Sequence, residues 1–265
     1  QLKAYTLPQL KLKDAHGLKG LFQWMFPRLY LFLLKRVESY QNISAYNTMD
    51  EIVLLSPSYI PEFRRLIGKK DASRLSAIPN AIKPVESNIP IEQKKKEIIF
   101  VGRFDPEKGL PKLLKIWEMV QDELPEWNLI MVGDGGKYKE CAQMIADKKL
   151  KRVQLTGHQM SIPYIDRASI LCLTSVIEGL PTVFIEAMSL GVVPIGFDSF
   201  RAIYDMIDNG KNGIVIRNND YKAYAKALIR LATDDTYRQQ IAAAAKQQAG
   251  RYDIEHIGPF WLEAF

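Results

Sequence analysis

Short apolar runs alternate with amphipathic segments along the chain from residue 98 onward. Apolar runs bounded by glycines and polar residues are typical of strands buried in a parallel sheet, and apolar residues at helical spacing predict helices between them. The predicted helix over 109–124, for example, has Leu113, Trp117 and Val120 on one stripe. The six predicted strands are "IIFVG", "NLIMV", "VQLTG", "ILCLTS", "VVPIGF" and "NGIVI". Six strands interleaved with helices predict a doubly wound, Rossmann-like α/β domain with a parallel sheet.

The first 85 residues have a different pattern. A helical, aromatic-rich stretch over 21–41 is followed by one strand, "EIVLLS", one helix, "PSYIPEFRRLIG", and a second strand within "LSAIPNAIKP". Two strands are too few for a sheet with a covered core, so this segment looks like the end of a second, incomplete α/β domain. The predicted division is a partial domain over 1–85, a polar linker over 86–97, a ligand-binding domain over 98–250 and a final helix over 251–265.

Composition narrows the class of protein. The chain has 265 residues, 47% of them hydrophobic and 25% charged, as in ordinary globular proteins. It contains no run of about 18 uncharged apolar residues and no signal-peptide pattern, so neither a membrane-spanning helix nor secretion is expected. Its two cysteines, Cys141 and Cys172, lack metal-ligand spacing and fit a reducing compartment. A cytoplasmic protein is predicted, and the chain is expected to be either part of a longer protein or a donor-binding half with a remnant of a second domain.

The net charge of +6 belongs to the first third of the chain, since residues 1–80 hold 12 basic and 6 acidic residues. A basic patch suits an anionic membrane, an anionic substrate or nucleic acid, and it is also common on a solvated face. Together with Phe22, Trp24, Phe26 and Tyr30, it suggests docking to the inner face of the cell membrane. Packing of these aromatic residues inside the protein is the favoured alternative. Nucleic acid is not expected, because no recognition motif accompanies the charge.

The loop "GRFDPEKG" follows the first of the six strands. Gly102 permits a tight exit from the strand, and Arg103 and Lys108 bring two cations to the start of a helix. Cations beside a helix N-terminus suit a phosphate or diphosphate. The alternative is that Arg103 forms surface ion pairs with Asp105 or Glu107.

Two neighbouring loops offer weaker signals. "VGDGGK" includes Gly133 but lacks the third glycine of a dinucleotide fingerprint, so its glycines most simply turn the strand into the helix. "LTGHQ" places His158 after the next strand, where it would line the same crevice. A lone histidine is more often a satisfied surface or core residue.

The stretch "EGLPTVFIE" combines a loop at the end of a buried strand with the start of the next helix. Glu178 lies in the loop and Glu186 lies in the helix. Carboxylates accept hydrogen bonds from hydroxyl groups, and exposed amides at a helix start donate hydrogen bonds to anionic oxygens. Two acceptors beside a cationic loop describe a ligand with hydroxyl groups around a diphosphate, such as a sugar nucleotide. The loop residues between the two acids are Gly179, Leu180, Pro181 and Thr182.

These motifs resemble those of the retaining glycosyltransferases of family 4, also called group 1 glycosyltransferases. "EGLPTVFIE" resembles the family's E-x7-E motif, "GRFDPEKG" its Gly-Arg-…-Lys-Gly loop, and "VGDG", "NGKNGIVI" and "IPNAIKP" occur in the expected order. The resemblance implies a GT-B fold with the donor bound by the C-terminal domain. It implies that Arg103 and Lys108 neutralise the donor diphosphate, that Glu178 contacts the transferred hexose and that Glu186 receives the ribose hydroxyls. It further implies that the 179–182 loop contacts sugar and phosphate and that His158 lies near the base.

The resemblance implies transfer of a hexose from a nucleotide-diphosphate sugar, a uridine donor in preference to guanosine, to a saccharide or lipid-linked acceptor with retention. The setting is cell-surface polysaccharide or glycolipid synthesis. No D-x-D motif occurs, so neither a metal nor another cofactor is expected. A sugar-nucleotide epimerase and a non-catalytic donor-binding fragment are the alternatives.

Overall fold

The computed structural model describes residues 42–68, 73–83 and 85–264, which fall into two units divided between Ile78 and Pro79. The predicted helix over 21–41 and the aromatic residues proposed to touch a membrane lie outside the described residues. No helix in the described part of the chain is long and apolar enough to cross a membrane.

The smaller unit contains a helical segment over 42–48, strand β1 (Ile52–Leu54), helix α1 (Ile60–Ile67) and strand β2 (Leu75–Ala77). The two strands pair in parallel, with Ile52 opposite Leu75. Tyr46, Ile52, Leu54, Phe63 and Ile67 form its small core. The predicted strand, helix and strand are therefore all present.

The larger unit is built on a six-stranded sheet in which all neighbouring strands are parallel. Its strands are β3 (Glu97–Val101), β4 (Asn128–Val132), β5 (Val153–Leu155), β6 (Ile170–Leu173), β7 (Val193–Phe197) and β8 (Ile214–Ile216). Their order across the sheet is β5-β4-β3-β6-β7-β8. β3, β6 and β7 are buried over nearly their whole length, which explains why they read as continuous apolar runs. The prediction of a Rossmann-like parallel sheet is confirmed.

Helices follow the strands and pack in two groups. They are α2 (Leu110–Val120), α3 (Tyr138–Asp147), α4 (Ile162–Arg167), α5 (Thr182–Ser189), α6 (Ile203–Met206), α7 (Tyr221–Thr233), α8 (Asp235–Ala249) and α9 (Ile254–Glu263). α2 contacts both α3 and α7, whereas α5 contacts α4 and α8. Asp220 and Asp234 cap α7 and α8 by accepting hydrogen bonds from backbone amides. The segment over 220–250 therefore forms two helices.

The boundary predicted at residue 85 differs from the structure. Ile82 donates its amide to the carbonyl oxygen of Tyr252 at 2.9 Å and accepts from the amide of Ile254 at 2.9 Å, which ties residues 79–83 into the larger unit. The segment predicted as a polar linker is also held, because the Lys94 side chain is only 1% exposed and forms an ion pair with Asp166. The polar composition of residues 86–97 did not indicate whether this segment is a free linker or is held against the larger unit by its side chains.

Candidate functional site

The carboxyl ends of β3 and β6 flank the point where the direction of winding reverses. From β3 the chain proceeds outward through β4 and β5, then returns to β6 on the other side of β3 and continues through β7 and β8. Crevices at such switch points are the usual ligand sites of open parallel sheets. The loops predicted to bind ligand, after β3 and after β6, meet at this point.

The loop after β3 is fixed against the end of β6. Gly109 has a φ of +64°, and a Cβ there would overlap the carbonyl oxygen of Thr174. The Thr174 hydroxyl donates to the carbonyl oxygen of Gly109 at 3.1 Å, and the amide of Val176 donates to the carbonyl oxygen of Glu107 at 2.7 Å. Only glycine allows this close approach, which positions the short 3-10 turn Pro106–Lys108 beside the loop that carries Glu178.

Lys108, Ser175 and Glu178 form a hydrogen-bonded cluster at this junction. Lys108 Nζ and Ser175 Oγ each lie 2.7 Å from the same oxygen, Oε1, of Glu178. The Lys108 side chain is 20% exposed and that of Glu178 is 11% exposed, while Ser175 is buried. A charge-assisted bond in such a partly dry setting is stronger than one on the surface. We call these three residues the carboxyl-end cluster.

Ser199, which the sequence reasoning did not select, supports this cluster from β7. Its hydroxyl donates to the carbonyl oxygen of Ser175 at 2.6 Å. A serine two residues after an apolar strand at the same edge of the sheet was the available signal. The contact fixes the backbone of Ser175, and through it the hydroxyl that holds Glu178.

Arg103 lies on the same loop but does not join the cluster. Its side chain is 75% exposed, and its Nη2 lies 3.2 Å from Asp105 Oδ2 and 3.4 Å from Glu107 Oε1. The surface ion pairs weighed as an alternative are therefore present. Residues 102–109 and Glu178 together contain two cations, Arg103 and Lys108, and three carboxylates, Asp105, Glu107 and Glu178.

The loop after β6 leads into α5, which starts without a capping side chain. Pro181 is the N-cap residue and Thr182 the first helical residue. Leu180 is buried and anchors the loop. An uncapped helix start leaves amides for an anionic oxygen. This is the arrangement expected of residues 179–182.

Glu186 lies in α5, and no hydrogen bond or ion pair joins its side chain to another described residue. It is half-buried, and burial raises the pKa of its carboxyl above the ordinary value. A partly buried carboxylate without a partner is costly and suits a ligand that brings hydrogen-bond donors.

The loops after β4 and β5 continue the same edge. The amide of Gly102 donates to the carbonyl oxygen of Val132 at 3.1 Å, and the amide of Gly133 donates to that of Gly157 at 2.9 Å. A Cβ at Gly133 would overlap the carbonyl oxygen of Gly102, so this glycine serves close packing of the loops. His158 follows Gly157 and is exposed.

No group of three or more His, Cys, Asp or Glu side chains in the described ranges is placed to hold a metal ion.

The two cysteines are buried. Burial raises the pKa of Cys141 to about 11 and that of Cys172 to about 12, so both thiols stay protonated.

Comparison with known proteins adds a family. The sequence model described as glycosyl transferases group 1 matches residues 83–248. An N-acetylgalactosaminyltransferase of Campylobacter jejuni that acts on a diNAcBac-PP-undecaprenol glycan is 29% identical over 173 residues, covering 64% of this chain and 48% of that protein. The poly(glycerol-phosphate) alpha-glucosyltransferase of Bacillus subtilis is 26% identical over 95% of this chain and 35% of its own length. The chain thus spans about half or less of these relatives.

Solved structures agree on the fold. HepE of Anabaena, crystallised with UDP and glucose, aligns with a TM-score of 0.76 at 20% identity, over 87% of this chain and 66% of that one. A Staphylococcus aureus TarM variant, crystallised with UDP, aligns with a TM-score of 0.74 at 23% identity, over 83% and 45%. These likenesses confirm the GT-B type of α/β fold, and the comparisons give the epimerase alternative no support.

Proposed function

The chain belongs to the group 1 glycosyltransferases, and from that premise we propose that it forms the donor side of a retaining hexosyltransferase. The donor is a nucleotide-diphosphate sugar, with a uridine nucleotide as the first choice. The acceptor is a saccharide or a lipid-linked saccharide, and the setting is cell-surface polysaccharide or glycolipid synthesis.

The observation that carries this proposal is the carboxyl-end cluster at the switch point. Its lysine suits a phosphate oxygen, and its carboxylate suits hydroxyl groups. The uncapped start of α5 lies a few residues after Glu178, and the unpartnered Glu186 lies in the same helix. One ligand matches all of these groups: a diphosphate with a sugar at each end.

We assign the contacts from this arrangement. Lys108 and the backbone amides of Leu180, Thr182 and Val183 hold the diphosphate, and Arg103 reaches it after leaving its surface partners. Glu178 accepts hydrogen bonds from the transferred hexose, and Glu186 accepts them from the ribose. His158 lies on the loop nearest the base. Gly102 and Gly133 allow the loops to pack closely around this ligand.

The chemistry that these residues support is electrostatic. As the bond between hexose and diphosphate lengthens, negative charge collects on the departing diphosphate. Lys108 and the amides of α5 then interact more strongly with that charge than with the ground state, which lowers the barrier. Loss of one such contact costs about 10²–10³ in rate. The proposal requires no metal and no other cofactor.

UDP is preferred because the solved relatives HepE and TarM were crystallised with it. The acceptor class follows from relatives whose names specify lipid-linked or polyol-phosphate substrates, as in Campylobacter jejuni and Bacillus subtilis. We place the protein in the cytoplasm; packing of the aromatic residues of the first third inside the protein remains the favoured explanation, and peripheral contact at the inner face of the cell membrane is the alternative to be tested. Under that alternative, liposome co-sedimentation should increase with anionic lipid, and no such increase would refute the membrane contact.

A donor panel tests the proposed function. Thermal shifts of the 265-residue chain are measured with UDP, GDP, UDP-glucose, UDP-N-acetylglucosamine and GDP-mannose, since a ligand stabilises the folded state in proportion to its affinity. Radiolabelled donor then separates transfer to an acceptor, interconversion of the donor and binding without turnover. Stabilisation by the uridine compounds with transfer supports the proposal. If none of the five compounds stabilises the folded chain, the proposal is refuted.

A further inference from the structure

Lys108, the cation best placed for a diphosphate, already has an anionic partner. Its ammonium lies 2.7 Å from Glu178 Oε1, and both side chains are mostly shielded from water. An incoming phosphate therefore meets a lysine whose charge is balanced by a carboxylate. Lysine has three N–H donors, so it can hold a phosphate oxygen and Glu178 together. In that arrangement the Glu178 carboxylate and the phosphate are close neighbours, because both contact the same Lys108 ammonium.

The carboxylate is also held in place. The Ser175 hydroxyl donates to the same oxygen that Lys108 contacts, at 2.7 Å. Ser175 is buried, and the Ser199 hydroxyl donates to its carbonyl oxygen at 2.6 Å. Withdrawal of Glu178 from the phosphate would break this chain of hydrogen bonds. The repulsion between carboxylate and phosphate is therefore built into the site.

We propose that Glu178 makes this site discriminate between a glycosylated and a free nucleoside diphosphate, and so speeds the release of the free nucleotide after transfer. The inference rests on the proposed function and deepens it. A sugar nucleotide places hexose hydroxyls next to the carboxylate, and these donate to it. A free nucleoside diphosphate has no hydroxyl there and carries more negative charge on its terminal phosphate. Like charges at this range oppose binding unless a donor lies between them.

Product release follows from the same geometry. Once the hexose has left, Glu178 faces a terminal phosphate without hydroxyl groups between them. Lys108 then holds two anions with no hydroxyl donor between them, and their repulsion favours departure of the nucleotide. The 2.7 Å contact between Lys108 Nζ and Glu178 Oε1 shows that the two side chains can pair directly.

Isothermal titration tests the inference on the full 265-residue chain, with UDP and UDP-glucose as probes and GDP and GDP-mannose as a parallel pair. We expect the wild type to prefer the sugar conjugate. In Glu178→Gln, the free nucleotide should bind more tightly and the conjugate more weakly. The ratio of the two dissociation constants should change by about tenfold or more, as expected for removal of one close like charge.

Two further variants keep the test interpretable. Ser175→Ala retains both charges and only loosens the carboxylate, so the ratio should change in the same direction by less. It also tests the inference if Glu178→Gln does not fold. Glu118→Gln breaks a lysine–glutamate ion pair with Lys148 elsewhere on α2 and should leave the ratio unchanged.

The outcomes separate the two proposals. If neither probe pair binds to the folded wild type, the proposed function fails. If a pair binds and both of its members weaken equally in Glu178→Gln, the proposed function stands and the discrimination by Glu178 is refuted. An equal change of the ratio in Glu118→Gln would also refute it.

Discussion

The larger unit contains the same trio of side chains at both ends of strands β3 and β6. At the amino end, Lys94 Nζ lies 3.5 Å from Asp166 Oδ1, and Ser87 also hydrogen-bonds to this oxygen. At the carboxyl end, Lys108 and Ser175 both contact Glu178 Oε1. Each trio has one lysine, one carboxylate and one serine hydroxyl, yet the surroundings differ.

The amino-end trio is closed. The Lys94 side chain is 1% exposed, and its ammonium also donates to the carbonyl oxygen of Asp166. The Ser87 hydroxyl oxygen also accepts a hydrogen bond from the amide of Ile89. Nearby, Arg167 Nε lies 2.8 Å from Glu97 Oε2. Lys94, Asp166, Arg167 and Glu97 thus each have a charged protein partner, which is typical of a structural ion-pair network.

The carboxyl-end cluster is open. The Lys108 side chain is 20% exposed, the helix α5 starts nearby without a capping side chain, and Glu186 has no partner among the described residues. Identical chemistry thus stabilises the fold at one end and remains available for a ligand at the other. What distinguishes a structural cluster from a candidate site is whether its polar groups all have protein partners, more than which residue types it contains.

The largest expected effect lies at the closed end. Asp166→Asn leaves the Lys94 ammonium buried without a counter-charge, which should lower the free energy of unfolding by about 3–5 kcal/mol. Urea denaturation of the variant and the wild type measures this loss. Nucleotide binding by the folded variant should be unchanged, and a selective loss of UDP affinity would contradict the structural role.

The loss should also depend on pH. Burial lowers the pKa of Lys94 below its ordinary value of 10.5, although the Asp166 carboxylate acts in the opposite direction. Because the unfolded state then binds the proton more tightly than the folded state, stability rises with pH between the lowered pKa and 10.5. Without Asp166 the protonated lysine costs more, so the deficit of Asp166→Asn should shrink as the pH approaches 10.5. A deficit that stays constant with pH would show that Lys94 is not its cause.

The second effect lies at the open end. Lys108→Gln should lower the rate of hexose transfer by about 10²–10³, because one contact to the departing diphosphate is lost. Its effect on urea denaturation should be smaller than that of Asp166→Asn, since Lys108 is more exposed. Lys148→Gln, at an exposed lysine paired with Glu118, is the matched control and should retain full activity. Equal activity losses in the two variants would remove Lys108 from the site.

A third variant sharpens the comparison through Glu186. Burial raises the pKa of this carboxyl, so its ionised form destabilises the fold at neutral pH, and the penalty disappears as the pH falls below the ordinary value of 4.5. Glu186→Gln should therefore raise the melting temperature at pH 7 by a small amount, about 1 °C after allowance for solvent screening, and by nothing at pH 4.

The same variant should lose the ability to distinguish UDP from 2′-deoxy-UDP, since Glu186 is assigned to the ribose. Titration of both nucleotides measures this preference. If Glu186→Gln also raises the melting temperature at pH 4, the charge of Glu186 is not the cause of the gain. If the variant still prefers UDP to 2′-deoxy-UDP as the wild type does, the contact between Glu186 and the ribose is refuted.

The smallest effect is expected at the surface. Glu118→Gln breaks an ion pair whose two side chains are each 38% exposed. Such pairs contribute about 0–1 kcal/mol, so urea denaturation should hardly change. A loss comparable to that of Asp166→Asn would contradict the distinction drawn from exposure.

The sequence predicted the six-stranded parallel sheet because apolar runs and glycine turns are local signals. It also predicted that Lys108 and Glu178 share one edge of the sheet, which topology requires of loops at strand carboxyl ends. It did not predict that they pair with each other, since that depends on the left-handed conformation of Gly109 and its contact with Thr174.

The burial and the pairing of individual charged side chains could not be predicted from the sequence pattern. In the run 94–96, the side chain of Lys94 turns inward while that of Lys96 is 49% exposed, and nothing in three adjacent lysines indicates which one is buried. For Arg103 the sequence favoured a contact with the diphosphate over surface pairing with Asp105 or Glu107, yet the structure contains the surface pairs. Side-chain pairing across loops arises from tertiary packing, which has no periodic signature.

The contact of Gly109 with Thr174 bears on protein engineering. Through this contact the backbones of residues 102–109 and 174–178 depend on each other, although about 65 residues of chain separate Gly109 from Thr174. A chimera intended to accept another sugar therefore has to exchange both segments together, because a graft of either alone would carry a backbone trace that its unaltered neighbour does not match.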